Sequence, residues 1–299
     1  MRTRARIGYG AGALAVLLAA SGCGSSGPAD KPAAPAQPPA ASGASGTSGG
    51  GTGGGTATAP AQDAVGDAAW AKWGLKPMAK APAPPADKPI KLTKTGTVPV
   101  FSEVPTQDKV VFVTIDDGAE KDPKFVQMLT DLKVPITMFL TKDIVKNDYA
   151  YFKPLQALGN SIQNHTVSHP VMSKLAPAQQ KSQICDDQAA LTQQYGTAPY
   201  LFRPPYGDGA NTPALNTAVQ ECGPRAIVLW RESMQIHDMQ YQAADKKLKN
   251  GDIVLAHFRG PSDLKGETMT QMFGELLARI QEQGFAVARL DDYIAKPTG

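Results

Sequence analysis

The chain has 299 residues, with 30 Lys and Arg against 27 Asp and Glu, a formal charge of +3 and a pI near 8.6. So mild a charge, with no basic run interleaved with aromatic residues, argues against a nucleic-acid partner. The length allows one large domain with additional segments.

Arg2, Arg4 and Arg6 precede an apolar run over residues 11–20 that is too short for an ordinary membrane span. Ala20, Ser21 and Gly22 then lead directly to Cys23. This order resembles a bacterial lipobox. It implies a signal peptide over residues 1–22, lipidation of Cys23, and a lipoprotein on the outer face of the cell membrane. Ala20 stands where Leu is commoner, which leaves open cleavage by an ordinary signal peptidase and a secreted product. Residues 23–89 are rich in Gly, Ala, Pro and Ser and are expected to form a disordered linker. Its first part, to about residue 66, would reach roughly 40 Å on average. Trp70, Trp73 and Leu75 form an apolar island that either docks on the main domain or stays part of the linker. The folded domain is expected over residues 90–299, starting between Ile90 and Lys109.

From Val110 onward, strand-like and helix-like segments alternate. Val110 to Val113 reads as a short buried strand, ending in Asp116-Asp117-Gly118. Asp122-Pro123 reads as an N-cap with Pro at the first helical position. Ile136–Leu140 reads as a strand, 148–158 as a helix and 161–163 as a strand. Pro177–Tyr195 reads as a helix ended by Gly196, Tyr200–Phe202 as a strand, and Pro213–Cys222 as a helix ended by Gly223. Ala226–Trp230 and Asp252–Ala256 read as strands. An apolar stripe from Met269 to Ile280 marks a core-packing helix, and Phe285–Ala288 is the last strand. Seven strands alternating with helices predict an α/β fold, a closed or nearly closed (β/α) barrel with about seven parallel strands. An open doubly wound sheet is the alternative, but no Gly-rich phosphate turn follows the first strand. Cys185 and Cys222 sit at similar depths in consecutive helices. They form a disulfide if those helices run parallel, and are two buried thiols otherwise.

The chemically loaded clusters all follow strands, where parallel α/β barrels place their active sites. Asp116 and Asp117 end the first strand, His165-Thr166-Val167-Ser168-His169 follows the third, Arg203-Pro204-Pro205-Tyr206 the fourth, and Leu255-Ala256-His257 ends the sixth. Three of the four His residues occupy such positions. Two His four residues apart, as His-x3-His, lie on one side of a helix or tight turn. With a carboxylate they make an open three-ligand site suited to catalytic zinc.

These motifs resemble, in order, four of the five signatures of the polysaccharide deacetylases, the NodB homology domain of carbohydrate esterase family 4. The resemblance covers about Val110 to Tyr293 and implies a distorted (β/α) barrel with fewer than eight strands, in agreement with the seven counted. It implies that Asp117, His165 and His169 hold a divalent metal, usually zinc, with cobalt or another divalent ion as alternatives. Asp116 would be the general base, Arg203 would orient it, and His257 would be the general acid. The backbone N–H of Tyr206 would help hold the oxyanion, and Leu255 would line the acetyl pocket. The fourth signature departs. Trp230 matches its aromatic and belongs with the substrate side, but Ser233 and other residues stand where Asp is usual. Glu232 or Asp238 would have to substitute; otherwise His257 lacks its carboxylate partner and its pKa falls. His237 is read as a loop residue.

The reading is a metal-dependent hydrolase that removes N-acetyl groups from peptidoglycan or chitin-like amino sugars. Its alternatives are an O-acetyl esterase acting on xylan-type substrates and a non-catalytic wall-glycan binder. The expected partners are a polysaccharide and, through the lipid anchor, a membrane. A monomer is the simpler expectation.

Overall fold

The computed structural model describes residues 65–297. The expected export signal, Cys23 and the Gly/Ser-rich part of the expected linker lie outside the described residues. In chain order the elements are α1 (Asp67–Lys72), β1 (Ile90–Lys91), β2 (Val100–Phe101), β3 (Val110–Asp117), α2 (Pro123–Leu132), β4 (Thr137–Leu140), α3 (Lys142–Val145), α4 (Phe152–Ala157), β5 (Ser161–Asn164), α5 (Pro177–Tyr195), α6 (Pro213–Cys222), β6 (Ile227–Val228), β7 (Glu232–Met234), β8 (Met239–Tyr241), β9 (Ile253–His257), α7 (Met269–Glu282), β10 (Ala286–Val287) and β11 (Ile294–Ala295), with short 3-10 turns between some of them. Among the described residues no helix is long and apolar enough to cross a membrane.

The sheet is assembled on β3. This strand pairs in parallel with β4 over Thr114–Asp117 and with β9 over Phe112–Asp116, while β10 pairs with Val110 and Val111 at its start. β5 extends the sheet beyond β4, and β7 extends it beyond β9. From β5 the sheet continues through single parallel bridges at Phe202 to β6, which pairs with β2. That edge turns back toward the base of β9, since Ile253 N–H donates to the Ser102 carbonyl and Val104 N–H to that of Gly251. The result is a curled, mostly parallel sheet.

Alternation along β3 divides the core in two. Val110 and Phe112 face the interior of the curl with Phe139, Leu201, Val228 and Tyr293. Val111, Val113 and Ile115 face the helices and pack on Phe125, Leu129, Phe273 and Leu276. The apolar filling of the interior stops at Thr114 and Asp116, so the curl is polar at the C-terminal ends of its strands.

Six of the seven expected strands form. The Tyr200–Phe202 segment is reduced to the bridge at Phe202, because Pro199 before it and Pro204-Pro205 after it supply no N–H to a ladder. The β7–β8 hairpin was not anticipated. It is antiparallel and short, too brief for an alternation signal. The helix expected at 148–158 divides into a 3-10 turn at Tyr149–Tyr151 and α4. The packed domain also begins earlier than expected: Trp70 on α1 is only 5% exposed, and Trp73 Nε1 donates to Asp131 Oδ2 at 3.0 Å. Two Trp residues bury enough apolar area to dock a six-residue helix that has little stability of its own. Cys185 and Cys222 are bonded, with Cα atoms 4.7 Å apart, and tie α5 to α6. In the chain-entropy account a bond across this separation is worth about 4 kcal/mol.

Beneath the hairpin, Glu232 and Asp252 are buried together, and Glu232 Oε2 and Asp252 Oδ1 each lack a hydrogen-bond partner. Burial, reinforced by the Asp252 carboxylate, pushes the Glu232 carboxyl up to about 8. A proton shared by the pair would answer both oxygens. A raised folded-state pKa means the folded chain holds a proton that the unfolded chain has lost. Stability from this group is therefore complete below the ordinary Glu value and declines as pH rises through about 8. The Glu232→Gln variant should show a flatter decline in urea-unfolding free energy between about pH 5 and pH 9 than wild type. Parallel curves for the two would refute the shared proton.

Candidate active site

Two neighbouring Asp residues on a strand would face opposite sides. Asp116 is 2% exposed and continues the interior face of β3. Asp117 should face the helices, but its φ of 74° is left-handed and brings its carboxylate to the same side. Gly118 completes the turn at φ 87°, where a Cβ would stand 2.5 Å from Val145 Cγ1, so glycine is required there.

The His-x3-His segment is a tight loop rather than a helix, with left-handed backbone at Thr166 and His169. His165 Nε2 and His169 Nε2 lie 3.5 and 3.3 Å from Asp117 Oδ1. The donor atoms of the three residues fall within 4.8 Å of one another. His165 Nδ1 is 2.7 Å from the Arg203 carbonyl, which can only accept, so Nδ1 carries the proton and Nε2 presents a lone pair. Asp117 Oδ1 is buried and without a hydrogen-bond donor. Burial pushes the Asp117 carboxyl up, but the surrounding imidazoles, His165 foremost, outweigh it and hold the group at about 2. An ionised, orphaned oxygen between two imidazole nitrogens fits a divalent cation, and the donor set suits zinc.

Arg203 is fully buried. Its Nη1 donates to Asp116 Oδ1 at 2.6 Å and to Thr114 Oγ1 at 2.9 Å, Nε to the Val228 carbonyl at 3.0 Å, and Nη2 to that of Leu229 at 3.2 Å. The guanidinium also stacks 4.2 Å above the Phe139 ring. Asp116 Oδ1 is thereby fixed, and Oδ2 faces the His pair, 3.6 Å from His165 Nε2. Tyr206 has φ 62° and a ring 66% exposed, 4.8 Å from the His169 ring. Trp230 lies 5.7 Å from the Arg203 guanidinium. Leu255 is buried on the interior face of β9, between Thr114 and Ser233 in the ladder.

His257 stands beside Asp116 in register, but its Nδ1 is buried without a partner. Burial pushes its imidazole down to about 4, although Asp116 and Asp117 pull the other way. Neither candidate substitute reaches it. Glu232 pairs with Val254 on the opposite face of the sheet, and Asp238 is exposed and bonded to Arg279 at 3.1 Å. Ser233 faces Leu255, on the side that carries His257, and its Oγ accepts from Gln235 Nε2 at 2.9 Å. His237 stands apart from the cluster, beside Glu267 and Glu275.

The residues that shape the His loop were missed in the sequence. Asp187 Oδ2 accepts the His165 N–H at 3.1 Å, and Gln183 Oε1 accepts those of Val167 and Ser168 at 3.1 and 3.0 Å. Asn164 Oδ1 accepts the Thr166 N–H at 3.1 Å while its Nδ2 donates to Gln188 Oε1 at 3.1 Å. The available signal was polar residues at helical spacing on the core-facing side of α5, namely Gln180, Gln183, Asp187 and Gln188.

With the geometry established, comparison with known proteins is informative. The polysaccharide deacetylase family model matches residues 103–227. An uncharacterized protein of Streptomyces coelicolor is 37% identical over 214 residues, covering 71% of this chain and 82% of the relative. The chain belongs to the polysaccharide deacetylase family. A Bacillus cereus peptidoglycan-N-acetylglucosamine deacetylase is 26% identical over 201 residues, 64% of this chain and 91% of the relative. Among solved structures, a peptidoglycan N-acetylglucosamine deacetylase superposes with a TM-score of 0.55 at 22% identity, covering 68% of this chain and 96% of that one. A family 4 pseudoenzyme from Bacillus anthracis superposes with a TM-score of 0.53 at 19% identity, covering 65% and 68%. These two structural likenesses concern the fold alone.

Asp187→Ala should lower zinc affinity about ten- to hundredfold, by freeing the backbone of the His loop. Competition against a chelating dye measures this, and an unchanged affinity would show that the loop holds its shape without α5.

Proposed function

We propose that the chain is a divalent-metal-dependent hydrolase that removes N-acetyl groups from peptidoglycan amino sugars. The observation that carries this reading is the buried, partnerless Asp117 Oδ1 facing two imidazoles, beside an Asp116 carboxylate fixed by Arg203. The names of the Bacillus cereus and Listeria monocytogenes relatives, peptidoglycan-N-acetylglucosamine deacetylases, support the substrate class. Export and lipidation at Cys23 would place the domain beside the cell wall.

Asp117, His165 and His169 would hold the ion, with zinc favoured over cobalt or another divalent metal. An ion held there would supply Lewis-acid chemistry, polarisation of the acetamide carbonyl and a lowered pKa for water at the site. Asp116 accepts the proton of the attacking water on Oδ2, because Oδ1 is occupied by Arg203. The Tyr206 N–H donates to the carbonyl oxygen as negative charge develops there. Leu255 offers an apolar wall to the acetyl methyl. The amine needs a proton to depart. His257, held near 4, is neutral at neutral pH, so the proton available to the amine is the one that Asp116 collects. Protonation of the leaving group is thus the weak step of this site.

A second reading, a wall-glycan binder without turnover, is favoured by the partnerless Nδ1 of His257. A pseudoenzyme occurs among the structural neighbours, and one mutant of it has restored activity.

Asp116→Ala should cut acetate release at least about 100-fold while zinc content stays the same. Equal release from variant and wild type would remove Asp116 from the base role. Ser233→Asp should raise acetate release at neutral pH about tenfold or more, by giving His257 a carboxylate partner. An unchanged rate would show that protonation of the amine does not limit turnover.

A further inference from the structure

A second group of ligand-type side chains lies on the helix side of the sheet. His237 sits in the turn between β7 and β8, Glu267 precedes α7 by two residues, and Glu275 lies on α7. His237 Nδ1 is 3.1 Å from Glu267 Oε1 and 3.6 Å from Glu275 Oε2, and one donor atom from each residue falls within 4.8 Å of the others. We propose that His237, Glu267 and Glu275 form a second divalent-cation site, of the zinc class, that clamps the β7–β8 hairpin to α7.

Three observations carry this further than an ion pair. First, an imidazole–carboxylate pair accounts for Glu267 Oε1, but Oε2 of the same carboxylate is buried and has no hydrogen-bond partner. A buried carboxylate oxygen without a donor is costly, and a bound cation removes that cost. Second, the His backbone is already fixed: Arg279 Nε donates to the His237 carbonyl at 2.9 Å and Nη2 to Asp238 Oδ1 at 3.1 Å. The turn that carries the imidazole is thus fixed before any ion arrives, and the half-exposed ring already lies beside the two carboxylates. Third, the group opens onto a cleft of about 480 Å³ lined by Trp73, Glu267, Thr270, Gln271 and Glu275, which gives an ion access and leaves room for water ligands. One imidazole nitrogen with two carboxylates favours zinc or a similar transition metal over calcium, which prefers an all-oxygen shell.

The clamp has a consequence for the first site. The hairpin carries Ser233, the ladder neighbour of Leu255, with Gln235 bonded to it, so an ion at His237 would stiffen the strand beside β9 and His257.

The test is zinc content of the full chain after equilibrium dialysis against ZnCl2. Wild type should hold two ions per chain, His237→Ala one, Glu267→Gln one, Asp117→Ala one, and the Asp117→Ala/His237→Ala double variant none. Zinc should raise the Tm of Asp117→Ala and leave that of the double variant unmoved. The proposal is overturned if His237→Ala holds as much zinc as wild type, or if Asp117→Ala holds none. Should His237→Ala hold none while Asp117→Ala keeps one, the clamp stands and the Asp117–His165–His169 assignment fails instead.

Discussion

A guanidinium buried beyond the reach of water costs several kcal/mol unless its N–H groups are answered. Arg203 is in that position, and its answers come from four places: Asp116, Thr114 and the Val228 and Leu229 carbonyls. Those contacts fix the end of β3 relative to β6 and the segment after it. They also leave Asp116 with one committed oxygen and one free. The same backbone presents its Arg203 carbonyl to His165 Nδ1, which selects the tautomer that aims Nε2 at Asp117. One buried residue therefore sets the base and one metal-ligand candidate together. Removing it would leave Asp116 buried and unpaired, which is a larger disturbance than the loss of a single contact.

Much of this was legible in the residues. The run Val110–Val113 announced the central strand, and prolines and glycines announced the bounds of α5 and α6. The order Asp-Asp, His-x3-His, Arg-x-Pro-Tyr, Leu-x-His announced a site on the strand ends. What the residues did not announce has physical reasons. Alternation places Asp117 on the wrong side of the sheet, and only the left-handed turn at φ 74° corrects it. The docking of Trp70 depends on a distant surface that no local pattern describes. The buried polar face of α5 looks like solvent exposure to any rule that equates polar with outside, because its partners include backbone amides 15 to 22 residues earlier in the chain.

The departure in the fourth signature has a structural outcome. Alternation along β7 sends Glu232 to the far face, where it shares burial with Asp252, and sends Ser233 to the near face. A carboxylate is thus present in the right strand but one residue out of phase, and a one-residue shift in a strand reverses the side chain. His257 consequently keeps an orphaned Nδ1 and an imidazole held near 4. The cluster of metal-ligand candidates is complete, while the group expected to supply the proton is poorly charged.

The most direct test of the central claim is acetate release from peptidoglycan, chitin oligomers and acetylated xylan by the full chain, stripped of metal and reloaded with Zn²⁺. The account expects no release from the stripped protein and zinc-restored release from peptidoglycan. Zinc bound tightly with no acetate from any of the three substrates would contradict it and leave a glycan-binding relative as the better description.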